Sequence, residues 1–208
     1  RRAAPRRRWR RRQAGYRTGF FSSPHLSDHR ERYRVAGLPI SEQAFAEIIG
    51  EIAAQIAAMQ SDGWEIPTEF ELATACALTH FARSGVEWLV LEVGMGGRLD
   101  ATNVAHPDLT IVTGVDLDHT AVLGTSVEAI AAEKAGILRR NVPLVTGAGG
   151  AALAVLKAHA DAVGAPLHVL GEQFNAHDVT TAWSGTSFTL TWLGDPAHAA
   201  PLPLNEPG

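Results

Sequence analysis

Several things are scarce in this chain, and each shortage excludes something. One cysteine, Cys76, among 208 residues rules out an intramolecular disulfide framework and any zinc site built on several thiolates. It fits a reducing, cytoplasmic compartment. No apolar run approaches the roughly 18 residues that a membrane-spanning helix needs. The N-terminus has no apolar stretch of the signal-peptide kind, so no membrane association is expected. Lysine is rare: Lys134 and Lys157 are the only two, and no glycine precedes Gly15. A glycine-rich phosphate loop with its lysine therefore has no candidate in the sequence.

The remainder is ordinary for a globular chain, with 46% hydrophobic and 19% charged residues, enough for one core and a scrap of a second. The charge is unevenly spread. Residues 1–12 hold eight of the 18 basic residues and no acid, leaving ten basic against 22 acidic residues elsewhere. The acidic remainder offers no nucleic-acid surface. The basic segment reads as foreign to the fold, or as a disordered tail able to meet phosphates. Domain bounds follow from this: 1–12 as a separate segment, 13–193 as an incomplete folded domain, and 194–208, with four prolines, as a flexible tail.

Along the chain, Tyr16–Phe21 reads as a short strand. Ser22-Ser23-Pro24-His25-Leu26 reads as a loop, because Pro24 pushes Ser23 away from helical angles. Ser41 is placed to cap a helix whose single apolar face is Phe45, Ile48, Ile49, Ile52, Ile56 and Met59. Thr68 and Glu71 make a capping box for a helix to about Arg83. Val86–Val93 is nearly continuous in apolar residues, as in a strand buried on both faces, and Leu109–Val115 is a second such run. A helix from Ser126 to about Leu138, a strand Pro143–Val145, a helix Ala151–Val163 and a strand Pro166–Leu170 follow. Val179–Trp183, a Ser184-Gly185 turn and Ser187–Trp192 suggest an antiparallel hairpin. The alternation predicts an α/β fold, a mostly parallel sheet flanked by helices, with that hairpin at its C-terminal end.

Ligands of open parallel sheets bind beyond the carboxyl ends of the strands. Glu92 ends the first apolar run, and Asp116-Leu117-Asp118-His119-Thr120 ends the second. The next helix carries Glu133-Lys134-Ala135-Gly136. A carboxylate in an apolar strand is costly unless paired or metal-bound, so Glu92 is the most informative residue. It is either a metal ligand or base, or an acid paired with Arg98 or capped by loop amides. Taken singly, His119 reads equally as a solvated or capping histidine, and Lys134 as a surface lysine paired with Glu128 or Glu133. Asp100 and Asn103 read as turn residues. Gly147-Ala148-Gly149-Gly150-Ala151-Ala152, with Glu172 further on, fits a dinucleotide loop weakly.

The stretches Ser22–Leu26, Glu31-Arg32, Thr68–Glu71, Leu91–Asn103, Leu117–Gly124 and Glu133–Ile137, in that order, resemble the bifunctional folylpolyglutamate synthase/dihydrofolate synthase family. That family is related to the Mur ligases, and the resemblance covers about Gln13 to Phe188. It implies a cytoplasmic, monomeric, ADP-forming ligase of folate biosynthesis. Such an enzyme joins L-glutamate to dihydropteroate or a folate through an acyl phosphate, with ATP as co-substrate. The resemblance implies two magnesium sites, one held by Ser23 and Glu92 and one by Glu92 with His119. It makes Lys134 the lysine that becomes carbamylated, so that Lys134, Glu92 and His119 form the catalytic group. Phe70 and Asp100 match positions that touch the pterin. Two parts of the family are missing: the phosphate loop upstream of Ser22 and the C-terminal domain. The chain thus reads as a central ATPase-type domain truncated at both ends and inactive alone. The alternative is a pterin-binding module without catalysis.

Overall fold

The structure is a computed structural model and describes residues 15–182, 185–193 and 200–204. The basic segment 1–12, Ser184 of the expected turn and most of the tail lie outside them. The chain divides into two compact units. The first runs through Met95 and includes Leu99–Ala105; the second comprises Gly96–Arg98 and residues from His106 onward.

The first unit is built on four strands: β1 (Thr18–Phe21), β2 (Tyr33–Val35), β3 (Leu38–Pro39) and β4 (Trp88–Leu91), in the order β3-β2-β1-β4. β1 runs parallel to β4, with Phe21 opposite Leu91, and antiparallel to β2, with Phe21 opposite Tyr33. The sheet is therefore mixed. β2 and β3 are not expected from the sequence, because elements of three and two residues carry no periodicity. Helix α1 (Glu42–Ser61) starts where the Ser41 hydroxyl accepts the Ala44 amide. Helix α2 (Glu69–Arg83) starts in the expected capping box of Thr68 and Glu71. Their shared core holds Phe21, Tyr33, Ile40, Ile48, Cys76, Ala77 and Phe81.

Two expectations are corrected here. The apolar face of α1 is only partly covered: Ile48 is buried, but Ile49 and Met59 are 39% and 37% exposed. A 20-residue helix spans about 30 Å, more than strands of two to four residues can cover at about 3.3 Å each. The run Val86–Val93 yields a strand of four residues, all half-buried rather than enclosed on both faces. β4 ends its sheet, pairing with β1 alone among the described residues.

The second unit contains β5 (Thr110–Val112), β6 (Leu144–Thr146) and β7 (Leu167–Val169), all parallel in that order. Helices α3 (Thr120–Leu123), α4 (Val127–Ala135) and α5 (Gly150–Val163) accompany them. Val112, Leu138, Leu144 and Leu156 fill a core that also holds small residues, Ala131, Ala135, Ala152 and Ala160, which let helices approach closely. The antiparallel sheet at the C-terminal side has the order β10-β9-β8, from β8 (Phe174–Ala182), β9 (Gly185–Trp192) and β10 (Ala200–Leu204). β8 begins five residues earlier than the sequence suggests, because a register shift between His177 and Thr180 interrupts its alternation. β10 brings Pro201 and Pro203 opposite Thr189 and Ser187. It is an edge strand, the place where proline is tolerated. No helix of the described residues is long and apolar enough to cross a membrane.

Candidate functional site

Glu92 sits one residue beyond β4. Its amide donates to the Phe21 carbonyl at 3.0 Å, and its Oε2 accepts the Ser23 amide at 3.2 Å. The parallel pairing of β1 and β4 is what brings Ser23 beside it, since both residues leave adjacent strands at the same end. The Ser23–Pro24 peptide is cis. Arg98, the partner weighed for Glu92, bonds Glu133 instead at 2.9 Å. Glu92 is thus capped by one loop amide, and neither its Oε1 nor the Ser23 hydroxyl is engaged among the described residues. An open carboxylate oxygen and a hydroxyl suit a hard divalent cation, which takes oxygen ligands and keeps waters.

Phe70 is the second residue of α2 and reaches the loop after β4. A Cβ built on Gly94 would lie 2.5–2.9 Å from its ring, so the ring rests directly on the Gly94 backbone. Phe70 also packs on Phe21, with ring centroids 5.8 Å apart. Asp100 closes the same loop. Its Oδ2 accepts the amides of Gly94 and Met95, each at 2.9 Å, and its Oδ1 accepts the amide and hydroxyl of Thr102. Four donors match the roughly four acceptor positions of a carboxylate. The loop brace weighed for Asp100 in the sequence is what its hydrogen bonds make. Asn103 sits in the short turn that Asp100 caps, its amide bonded to the Asp100 carbonyl at 2.9 Å.

In the second unit, the strip Gly96–Arg98 lies along the C-terminal turn of α4. The Arg98 amide donates to the Glu133 carbonyl at 2.9 Å. A Cβ on Gly97 would come within 2.9 Å of that carbonyl, and one on Gly136 within 2.5 Å of the Arg98 Cα. Both glycines are there because backbone meets backbone. Lys134 stands on this turn, half-buried, and makes no ion pair among the described residues; Glu133 is committed to Arg98. His119 precedes α3 in the left-handed region, at φ 50°, a conformation that strains a residue with a Cβ. Its Nε2 is 3.7 Å from the Asp118 carboxylate. Ser23, Phe70, Glu92 and Asp100 thus belong to the first unit, and His119 and Lys134 to the second. Among the described residues no three His, Cys, Asp or Glu side chains gather as a metal cluster.

Sequence reasoning missed how the loop after Ser23 is held. Glu31 accepts the Leu26, Ser27 and Asp28 amides and the Ser27 hydroxyl at 2.8–3.3 Å. The Ser27 hydroxyl and these amides pull its carboxyl down to about 2. The Glu31-Arg32 pair of the motif was the available signal, without a reason attached. The weaker glycine stretch does lie between β6 and α5, but Glu172, the acid it would need for a ribose, is paired with Lys157 at 2.9 Å.

A parallel sheet flanked by helices with an antiparallel sheet at the C-terminal end is a Mur-ligase-like architecture, and the solved structures that match this one include folylpolyglutamate synthases. A folylpolyglutamate synthase complex with AMPPCP and folate matches with a TM-score of 0.89 at 30% identity, over 97% of this chain and 50% of that one. Escherichia coli FolC in complex with DHPP and ADP matches with a TM-score of 0.77 at 36% identity, over 92% and 43%. In sequence, the dihydrofolate synthase/folylpolyglutamate synthase of Bacillus subtilis is 41% identical over 135 residues, 64% of this chain and 31% of its own length. A probable bifunctional folylpolyglutamate synthase/dihydropteroate synthase of Halobacterium salinarum is 42% identical over 199 residues, 93% of this chain and 24% of its own length. No protein-family model matches. Over most of its length the chain is homologous to folylpolyglutamate/dihydrofolate synthases. It spans less than a third of those two curated relatives and about half of the solved chains.

Proposed function

We propose that this chain is the pterin-side and metal-side part of an ADP-forming ligase that joins L-glutamate to dihydropteroate or a folate, with ATP as co-substrate. The observation that carries the reading is the open Glu92 oxygen beside the Ser23 hydroxyl, at the same β4 end where Phe70 lies over Gly94. In the reaction, a carboxylate oxygen of the pteroate attacks the γ-phosphorus of ATP and ADP leaves. The glutamate amine then attacks the acyl carbon, loses a proton, and phosphate leaves.

Ser23 and Glu92 would hold one magnesium, and the resemblance assigns His119 to a second. A magnesium held there would supply charge neutralisation at the transferred phosphoryl group and at ADP. Lys134 would be the carbamylated lysine, its amine nitrogen bonding the carbon of carbon dioxide. The nitrogen–carbon bond forms, a proton is released, and a cation becomes a carboxylate. Phe70 offers its face to the pterin ring, an arrangement worth about 0.5–1.5 kcal/mol beyond area. Asp100 shapes that site through the Gly94–Met95 backbone that it holds. ATP, L-glutamate and the pteroate are its partners, with no nucleic acid and no membrane among them. The protein works as a monomer in the cytoplasm.

Titration with dihydropteroate tests the reading. The chain binds it, and Phe70→Ala weakens binding up to about tenfold while still melting cooperatively. No binding by the wild type, or unchanged affinity in folded Phe70→Ala, overturns it. The chain alone is expected not to turn over. ADP release that needs both dihydropteroate and L-glutamate, and is lost in Glu92→Gln, would contradict that.

A further inference from the structure

Arg32 is the one charged residue of the described chain that is buried, its side chain 10% exposed. Burying a cation is costly unless its donors are satisfied. Its Nε donates to the His25 Nδ1 at 3.0 Å, and its Nη1 to the Glu69 Oε1 at 3.0 Å. Its own carbonyl accepts the Ser22 amide at 3.2 Å. A guanidinium only donates, so the His25 Nδ1 facing it is bare and the ring proton sits on Nε2. His25 is thereby held on the loop that carries Ser23, two residues after it. Glu69 is the first residue of α2 and directly precedes Phe70. No hydrogen bond joins His25 to Glu69, and the Arg32 fork spans the gap. Around it, His25 and His29 pack with ring centroids 5.1 Å apart, and the His29 Nε2 lies 3.6 Å from the same Glu69 oxygen.

We propose that Arg32 is a positioning residue: by bonding His25 and Glu69 at once, it fixes the loop bearing Ser23 against the helix bearing Phe70. The metal side and the pterin side of the first unit are then set in register by one buried fork. Lysine cannot replace it, because a single ammonium has no pair of donors at fixed separation. The site-level part of this inference rests on the proposed function; the brace itself does not.

Two measurements test it. Glu69 is 71% exposed, so Glu69→Ala keeps the fold, and His25→Ala removes the other end. Each weakens dihydropteroate binding about tenfold, the scale of one charge-assisted bond. Because both break the same span, the double variant is no weaker than either single one. Multiplying losses, or wild-type affinity in the folded single variants, overturn the proposal. The second readout needs no ligand. Nuclear magnetic resonance shows a through-hydrogen-bond 15N–15N coupling between Arg32 Nε and His25 Nδ1, and Glu69→Ala abolishes it. A coupling absent from the wild type, or unchanged in Glu69→Ala, overturns the brace. If the wild type binds no dihydropteroate, the proposed function falls and the brace is judged by the coupling alone.

Discussion

Gly94 lacks a side chain because Phe70 fills the space where one would be. A methyl group there would lie 2.5 Å from the ring tip, and the ring cannot retreat freely because Phe21 backs it. Gly94→Ala is therefore expected to displace the Phe70 ring and cost about 1–3 kcal/mol of stability by overpacking, with dihydropteroate affinity falling as far as in Phe70→Ala. Gly114→Ala is the control: nothing lies within 4 Å of its Cβ position, and denaturation should show a change near zero. Cys76, the lone thiol, is fully buried, and burial pushes its pKa up to about 11, so it packs as a small apolar residue. At this scale the sequence is readable where a residue contradicts its surroundings. Glu92 inside an apolar run announces itself. Gly94 does not, since its reason lies 24 positions away on another element.

Between elements, the loop after β1 is organised by one carboxylate. The donors on Glu31 hold its pKa near 2, against an ordinary value of 4.5. A depressed acid stabilises the fold fully above its unfolded pKa, and that contribution disappears as pH falls through the folded one. The stability difference between wild type and Glu31→Gln should thus be constant near neutral pH, shrink below about pH 4.5, and vanish toward pH 2. Urea midpoints across that range measure it. A second element carries an unused gain. Gly50 sits inside α1, exposed, with nothing within 4 Å of its Cβ position. Gly50→Ala is expected to add about 0.5–1 kcal/mol, read as a raised melting temperature. Helices α1 and α2 were legible to within two residues at each end, because Ser41, Thr68 and Glu71 mark starts by local hydrogen bonds. β2 and β3 were not, because pairing with β1 and with each other, and no local pattern, makes them strands.

For the molecule as a whole, each unit has its own core, and the second rests on few large side chains. Leu156 is fully buried in a core rich in alanine, whose small side chains cannot fill a vacated space. Leu156→Ala should cost about 2–5 kcal/mol, measured by denaturant unfolding. In the first unit, the Arg32 fork, the Glu31 brace and the Phe70–Gly94 contact all converge on residues that follow β1 and β4.

The sequence by itself determined the alternation of strands and helices, the capped helix starts, the terminal hairpin and the kinship of the chain, because those depend on near neighbours and on ordered motifs. The tertiary structure decided what the motifs hold. Arg98 went to Glu133 rather than Glu92, Asp100 spent its oxygens on the loop, and β4 became a half-buried end strand. Such outcomes turn on which donors and surfaces meet across distant positions, and a carboxylate or a guanidinium has no local preference among partners that the fold alone brings within reach.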